Sequence, residues 1–134
     1  MTPARAHQFL DENFAPWVRA LDLTVIEIGR SCTITRMPLS PHLARVGGIV
    51  SGQALVAMAD TTMALATAGH FGEFRPVATT NLESRFLRPG VGDAVVCRAD
   101  IVRAGKAMIF TRAEMIALPS DKAIATATAT FFLP

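Results

Sequence analysis

The spacing of hydrophobic positions divides the chain into four blocks. In residues 4–21, Phe9, Phe14, Trp17 and Leu21 offer an apolar face at helical spacing. Ala15-Pro16 predicts a break in that helix, because proline lacks the amide a helix interior needs. Residues 23–28 and 31–37 alternate apolar and polar positions, with β-branched Val25 and Ile26, and Gly29-Arg30 turns between them, which predicts a hairpin. Pro38, Pro41, Gly47 and Gly48 mark residues 38–50 as loop.

Residues 52–70 form the longest helical block. They are rich in Ala, Leu and Met, good helix formers, and are apolar nearly all round, as a buried helix is. Ser51 is the predicted N-cap and Gly69 the predicted end. Strands are then expected over 77–87, 94–103, 106–118 and 122–133, closed in turn by Pro89-Gly90, Ala104-Gly105 and Pro119-Ser120-Asp121. In the last strand, Ala123, Ala125, Ala127 and Ala129 share one face and Thr126, Thr128 and Thr130 the other. An alanine face allows another element to approach closely, and the buried helix is the obvious one. The order predicts an α+β fold: one antiparallel sheet wrapped around one long central helix, with sheet edges suited to dimerisation by edge pairing.

Composition narrows the function classes. The 134 residues suit one domain, residues 1–134, with residues 1–20 as a helical extension. Hydrophobic residues at 51% and charged residues at 18% exclude disorder. A net charge of +2 gives no electrostatic case for nucleic acid. No apolar run reaches membrane-spanning length, and the first residues lack the basic-then-apolar order of a secretory signal, so a cytoplasmic protein is expected. Cys32 and Cys97 form no CxxC and read as free thiols of a reducing compartment. His7, His42 and His70 show no metal-ligand spacing, and neither GxGxxG nor GxxxxGK[ST] is present, so no cofactor or metal is expected.

Asp60 carries the chemistry. It interrupts an otherwise apolar helix, where an unpaired aspartate is costly. Gln53, Asp60 and Thr67 are spaced by seven and make one thin polar stripe, which either satisfies local backbone or lines a cleft. Residues 47–52, Gly-Gly-Ile-Val-Ser-Gly, lead into the helix N-terminus, where free amides suit a developing oxyanion. Eight helical residues separate Gly52 from Asp60, roughly 12 Å at 1.5 Å per residue. A carboxylate and an oxyanion donor must each lie about 3 Å from one reacting carbonyl. If both act, they come from different chains, and the active unit is a symmetric dimer with shared sites.

Residues 52–60, the long helix, and the segment Asn81-Leu82-Glu83-Ser84-Arg85-Phe86-Leu87-Arg88-Pro89 resemble the hotdog-fold acyl-CoA thioesterases, in particular the phenylacetic-acid-degradation branch. The resemblance spans about residues 20–133. That family commonly reads His-Gly-Gly, six further residues, then the catalytic carboxylate. Here the positions hold Ser51-Gly52-Gln53 and Asp60, with Arg45 where members often carry Asn. The resemblance implies Asp60 as general base or nucleophile and the amide of Gly52 or Gln53 as the carbonyl polariser. It also implies Thr79 as the hydroxyl that positions water or the carboxylate, with Ser51 beside the substrate. Arg88, Arg103 and Lys106, at strand ends or turns, would meet coenzyme A phosphates. Val56, Met63, Phe71 and Phe74 would supply an apolar acyl pocket. The implied activity is hydrolysis of an aryl or short- to medium-chain acyl-CoA by a homodimer or a homotetramer of two dimers. The alternatives are a hotdog protein that binds acyl-CoA without hydrolysing it or an inert regulatory member, motivated by Ser51 and Arg45, and a hydratase-type member, which would need an Asp or Glu with a paired His near the helix, where none is evident.

Overall fold

A computed structural model describes all residues, Met1–Pro134. Six antiparallel strands form one sheet in the order β1-β2-β4-β5-β6-β3. They are β1 (Thr24–Ile28), β2 (Cys32–Pro38), β3 (Ala78–Phe86), β4 (Ala94–Ala104), β5 (Met108–Leu118) and β6 (Lys122–Phe132). The sheet wraps one long helix, α3 (Gly52–Phe71), and two short helices, α1 (Pro3–Asn13) and α2 (Pro16–Arg19), precede it. The break between α1 and α2 falls at Phe14-Ala15, where both residues are extended ahead of Pro16. α1 packs Ala6 and Leu10 against Val25, Ile28 and Leu65, so it covers the β1 side of the molecule. No helix is long and apolar enough to cross a membrane.

The alanine face works as its spacing predicts. Ala125, Ala127 and Ala129 are buried in the same core as Leu55, Met58 and Ala59 of α3. The alternation fails at one end, however. A bulge opposite Met115 and Ile116 turns Ile124 inward beside Ala125, so Ala123 leaves that face.

The end of α3 also differs from expectation. Gly69 does not stop the helix; it is buried within it. A Cβ there would lie 2.5 Å from the Gly29 carbonyl oxygen and 2.8 Å from Ile28 Cγ1, so glycine lets the helix press against the β1–β2 turn. The helix ends at Gly72, whose φ of 75° is the left-handed cap that glycine adopts without strain.

The two sheet edges differ. β1 is flanked by α1, whereas β3 pairs only with β6 and leaves its other edge unpaired. Along β3 only Leu82 and Ser84 are half-buried, and its other residues are exposed.

Candidate active site

The helix and the edge strand set the geometry. Ser51 caps α3: its side chain accepts from the Ala54 amide at 3.2 Å, and its carbonyl accepts from Leu55 at 3.3 Å. The amides of Gly52 and Gln53, the two residues just before these, have no partner among the caps and turns. Gly52 lies under the ring of Phe86, at the C-terminal end of β3, where an added Cβ would stand 3.2 Å from the ring. Two helical turns on, the Thr79 hydroxyl donates to Asp60 Oδ1 at 3.0 Å, at the N-terminal end of β3. α3 therefore runs antiparallel to β3, and the two chemical features of the helix lie at opposite ends of the free edge.

Asp60 is half-buried. Burial raises its carboxyl above the usual aspartate range, and the Thr79 hydrogen bond opposes that rise by favouring the charged form. Cavities open on both sides of it. One, of about 530 Å³, is bounded by Trp17, Gly52, Gln53, Val56 and Phe86. The other, of about 340 Å³, is bounded by Phe14, Phe74, Val77, Thr79 and Phe131. An ionisable acid of raised proton affinity between two cavities with apolar walls is a candidate functional site.

The structure sorts the residues singled out in the sequence. Asp60 and Gln53 border one cavity, and Gly52 joins them. Thr67, the third member of the polar stripe, is not part of it: its side chain is buried and donates to the Ala64 carbonyl at 2.7 Å. Val56 and Phe74 line the cavities beside Asp60. Met63 and Phe71 do not: Met63 is fully enclosed in the core, and Phe71 packs beside His70 and under the Arg75 guanidinium. Arg103 and Lys106 are exposed at the β4–β5 turn, on the Thr79 side of the sheet, because Met108, Phe132 and Ala78 are aligned across it. Arg88 is exposed just beyond β3, at the opposite end. Within one chain these three cations do not converge. Cys32 and Cys97 are free thiols on opposite faces of the sheet, since Cys32 is registered against Asp100 and Cys97 against Thr35.

Trp17 and Phe86 border the site without having been assigned to it from sequence. Trp17 belongs to the apolar spacing of the first helical block, yet it is 65% exposed over the Gly52 cavity rather than packed in the core. Only the fold of the N-terminal segment across α3 puts it there.

The profile of the thioesterase superfamily matches residues 47–124, more than half of the chain and the whole span from the glycine loop through α3 into β6. The chain belongs to the thioesterase superfamily. A Thermoplasma acidophilum protein named as an esterase is 30% identical over 94 residues, which is 70% of each chain. A conserved Pseudomonas aeruginosa protein superposes with a TM-score of 0.84 at 26% identity, over 92% of this chain and 98% of that one. A Haemophilus influenzae thioesterase gives 0.88 at 19% identity, over 100% and 91%. The Escherichia coli PaaI protein of the phenylacetic acid degradation operon gives 0.85 at 19% identity, over 98% and 91%. The fold is thus the hotdog fold, and membership of this superfamily supports a thioesterase-like hydrolase.

Proposed function

We propose that this thioesterase-superfamily member hydrolyses acyl-CoA thioesters, as a dimer in which each site takes residues from both chains. The observation that carries the reading is the half-buried Asp60 carboxyl, held by Thr79 between two cavities at one end of an unpaired strand. Antiparallel pairing of two β3 edges near Leu82 sets the C-terminal end of one strand beside the N-terminal end of the other. Because Gly52 sits by Phe86 and Asp60 by Thr79, this pairing brings the partner subunit's Gly52 toward Asp60. The partner subunit's Arg88 moves toward the end that holds Arg103 and Lys106, which gathers three cations for the phosphates of coenzyme A.

The chemistry then needs little more. The thioester carbonyl rests against the free amides of Gly52 and Gln53 at the partner's helix start, which stabilise the oxyanion. Asp60 takes a proton from water as it adds to the carbonyl, or attacks directly to give an anhydride that water opens. In either route the C–S bond breaks, and the coenzyme A thiolate leaves and is protonated. Thiolate is a good leaving group, so no strong acid is required. The raised affinity of Asp60 for a proton strengthens it as a base. The apolar cavities suit an aryl or short- to medium-chain acyl group.

The decisive experiment follows free thiol release from a panel of aryl and aliphatic acyl-CoAs, with Asp60→Asn as control. Turnover abolished by that substitution is expected, and turnover indifferent to it rejects Asp60 as base or nucleophile. A second reading rests on Ser51, whose side-chain oxygen is spent on the helix cap where the family's histidine would be. Saturable acyl-CoA binding without thiol release would select a binding protein instead.

A further inference from the structure

The cavity on the Thr79 side of Asp60 is built differently from the one on the Gly52 side. It lies at the seam of two hydrophobic clusters. Phe131 belongs to the main core, and Ala64 and Val77 pack against that core. Phe14 packs against the smaller cluster of Ala6, Leu10, Val25, Ile28 and Leu65. Phe74 completes the wall from the segment between α3 and β3. Phe131 is fully buried and the other four lining residues are half-buried, so this cavity has a closed end. The Gly52 side is rimmed instead by Trp17 and Phe86, 65% and 55% exposed, and Phe86 belongs to the strand whose edge is free.

Phe14 is held in place from several directions. Its amide donates to the Leu10 carbonyl at 3.2 Å and ends α1. Pro16 disfavours helix at Ala15, so the chain leaves Phe14 extended and runs on to Trp17 over the other cavity. Upstream, the Phe9 and Phe74 rings pack with centroids 5.1 Å apart, and His7 Nε2 accepts from the Val25 amide at 3.1 Å. These contacts tie α1 to β1 and to the segment before β3, which makes the Phe14 ring a fixed wall. The superfamily profile covers residues 47–124, which hold Asp60 and Thr79, whereas Phe14 and Phe131 lie outside it. The chemistry sits in the shared part of the chain, and part of the enclosure does not.

We propose that Phe14 gauges the substrate: the acyl part of the thioester enters the Thr79-side cavity, and the Phe14 ring sets how far it reaches. The inference rests on the thioesterase reading and deepens it. The cavity, about 340 Å³, is near the lower bound of small-ligand pockets, about 300–1,000 Å³. An acyl chain that overruns it meets a ring backed by the close-packed Leu10 and Leu65 cluster, which has no room to yield. Asp60 is the only charged residue of the lining, so an acyl group ending in a second carboxylate finds no cation there and is costly to bury. The favoured substrate is therefore a compact, uncharged acyl group.

The test measures kcat/KM for thiol release from butyryl-, octanoyl-, dodecanoyl- and succinyl-CoA. Each result is a ratio of two substrates on one preparation, so a variant that folds in lower yield does not disturb it. The wild type is expected to favour butyryl over dodecanoyl and over succinyl by roughly tenfold or more, a discrimination that an apolar pocket supplies for one misfitting methylene. Phe14→Ala is expected to raise the octanoyl-to-butyryl ratio by roughly tenfold, and Phe14→Trp to lower it. Should Phe14→Ala fail to fold, Ala64→Leu narrows the same cavity from the helix side, is expected to lower the ratio, and decides the question. A wild type that takes succinyl or dodecanoyl as readily as butyryl overturns the proposal. So does a shift that follows Trp17→Ala instead of Phe14→Ala, which puts the acyl group in the other cavity. Turnover that needs Asp60 but keeps its ratios in the Phe14 and Ala64 variants overturns the proposal and leaves the thioesterase reading standing. No turnover of any member, or turnover indifferent to Asp60→Asn, overturns both.

Discussion

Thr79→Val removes one hydroxyl and leaves a side chain of nearly the same shape, so it isolates the 3.0 Å hydrogen bond to Asp60. A hydrogen bond to a charged group contributes about 1.5–3 kcal/mol when sheltered. Asp60 is only half-buried, and water replaces part of the lost bond, which leaves roughly 1–1.5 kcal/mol. If that loss falls on the positioned carboxylate, kcat/KM drops roughly tenfold, since about 1.4 kcal/mol is a factor of ten. The pH profile carries the sharper signal. The Thr79 bond opposes the desolvation that raises the Asp60 carboxyl. Without it, desolvation acts alone, and the acidic limb of kcat/KM against pH moves to higher pH. Thr79→Ser keeps the donor and returns the limb toward the wild-type position. The assay is thiol release from one acyl-CoA across pH 3–9, a range that spans the ordinary aspartate value of 3.8 and the region above it. An unmoved or lowered acidic limb, or a serine variant as impaired as the valine one, refutes the reasoning.

Asp60→Asn is expected to lower kcat/KM by about 10²–10⁴, the range that general bases contribute. It should also stabilise the fold at neutral pH. Because the folded carboxyl titrates above its ordinary 3.8, the stability linked to it is complete below that value and is lost as pH rises through the raised one. The gain, about 0.5 kcal/mol for so exposed a group, should therefore vanish in melts at acidic pH; a variant less stable at neutral pH contradicts this. Gly69→Ala improves helix propensity by about 1 kcal/mol but puts a Cβ 2.5 Å from the Gly29 carbonyl oxygen, where backbone must shift, an overpacking cost in the upper part of the usual range, about 2–3 kcal/mol. The expected result is a melting temperature lower by roughly 3–7 °C, and an unchanged or higher one disproves the tight contact. Cys97 is fully buried and its thiol is pushed up to about 12, while burial and the Glu27 hydrogen bond raise Cys32. A chromogenic disulfide at pH 8 should leave Cys97 unmodified in the native protein and react with both thiols in guanidinium; rapid labelling of Cys97 without denaturant would be the contrary result.

The helix, the hairpin and the four later strands were legible because their hydrophobic periods are long and uninterrupted. Asp60 stood out for the same reason, as a charge on a rod with almost no wet side. Thr67 misled because helical spacing fixes direction but not depth: that side of α3 is open at Asp60 and closed one helical turn pair later, where the Thr67 hydroxyl bonds its own backbone. Gly69 misled because the capping preference of glycine and its use in close packing look identical in a sequence; only the approach of the β1–β2 turn separates them. Met63 and Phe71 are apolar enough to suggest an acyl pocket, but rotation around the helix axis sends Met63 into the core, and Phe71 packs at the helix end beside His70 and Arg75.

The bare flank of β3 has a consequence for the life of a newly made chain. Until the proposed edge pairing forms, its unsatisfied amides and carbonyls are a template for any extended peptide, the hazard behind runaway fibre growth. Two features restrain that hazard. The irregular step between Thr79 and Asn81 breaks the flat ladder, and Glu83 and Arg85 stud the strand with charge that disfavours stacking in arbitrary register. In the proposed dimer the strand is thus open enough to pair with one sibling, while its bulge and its charges disfavour indiscriminate pairing with others.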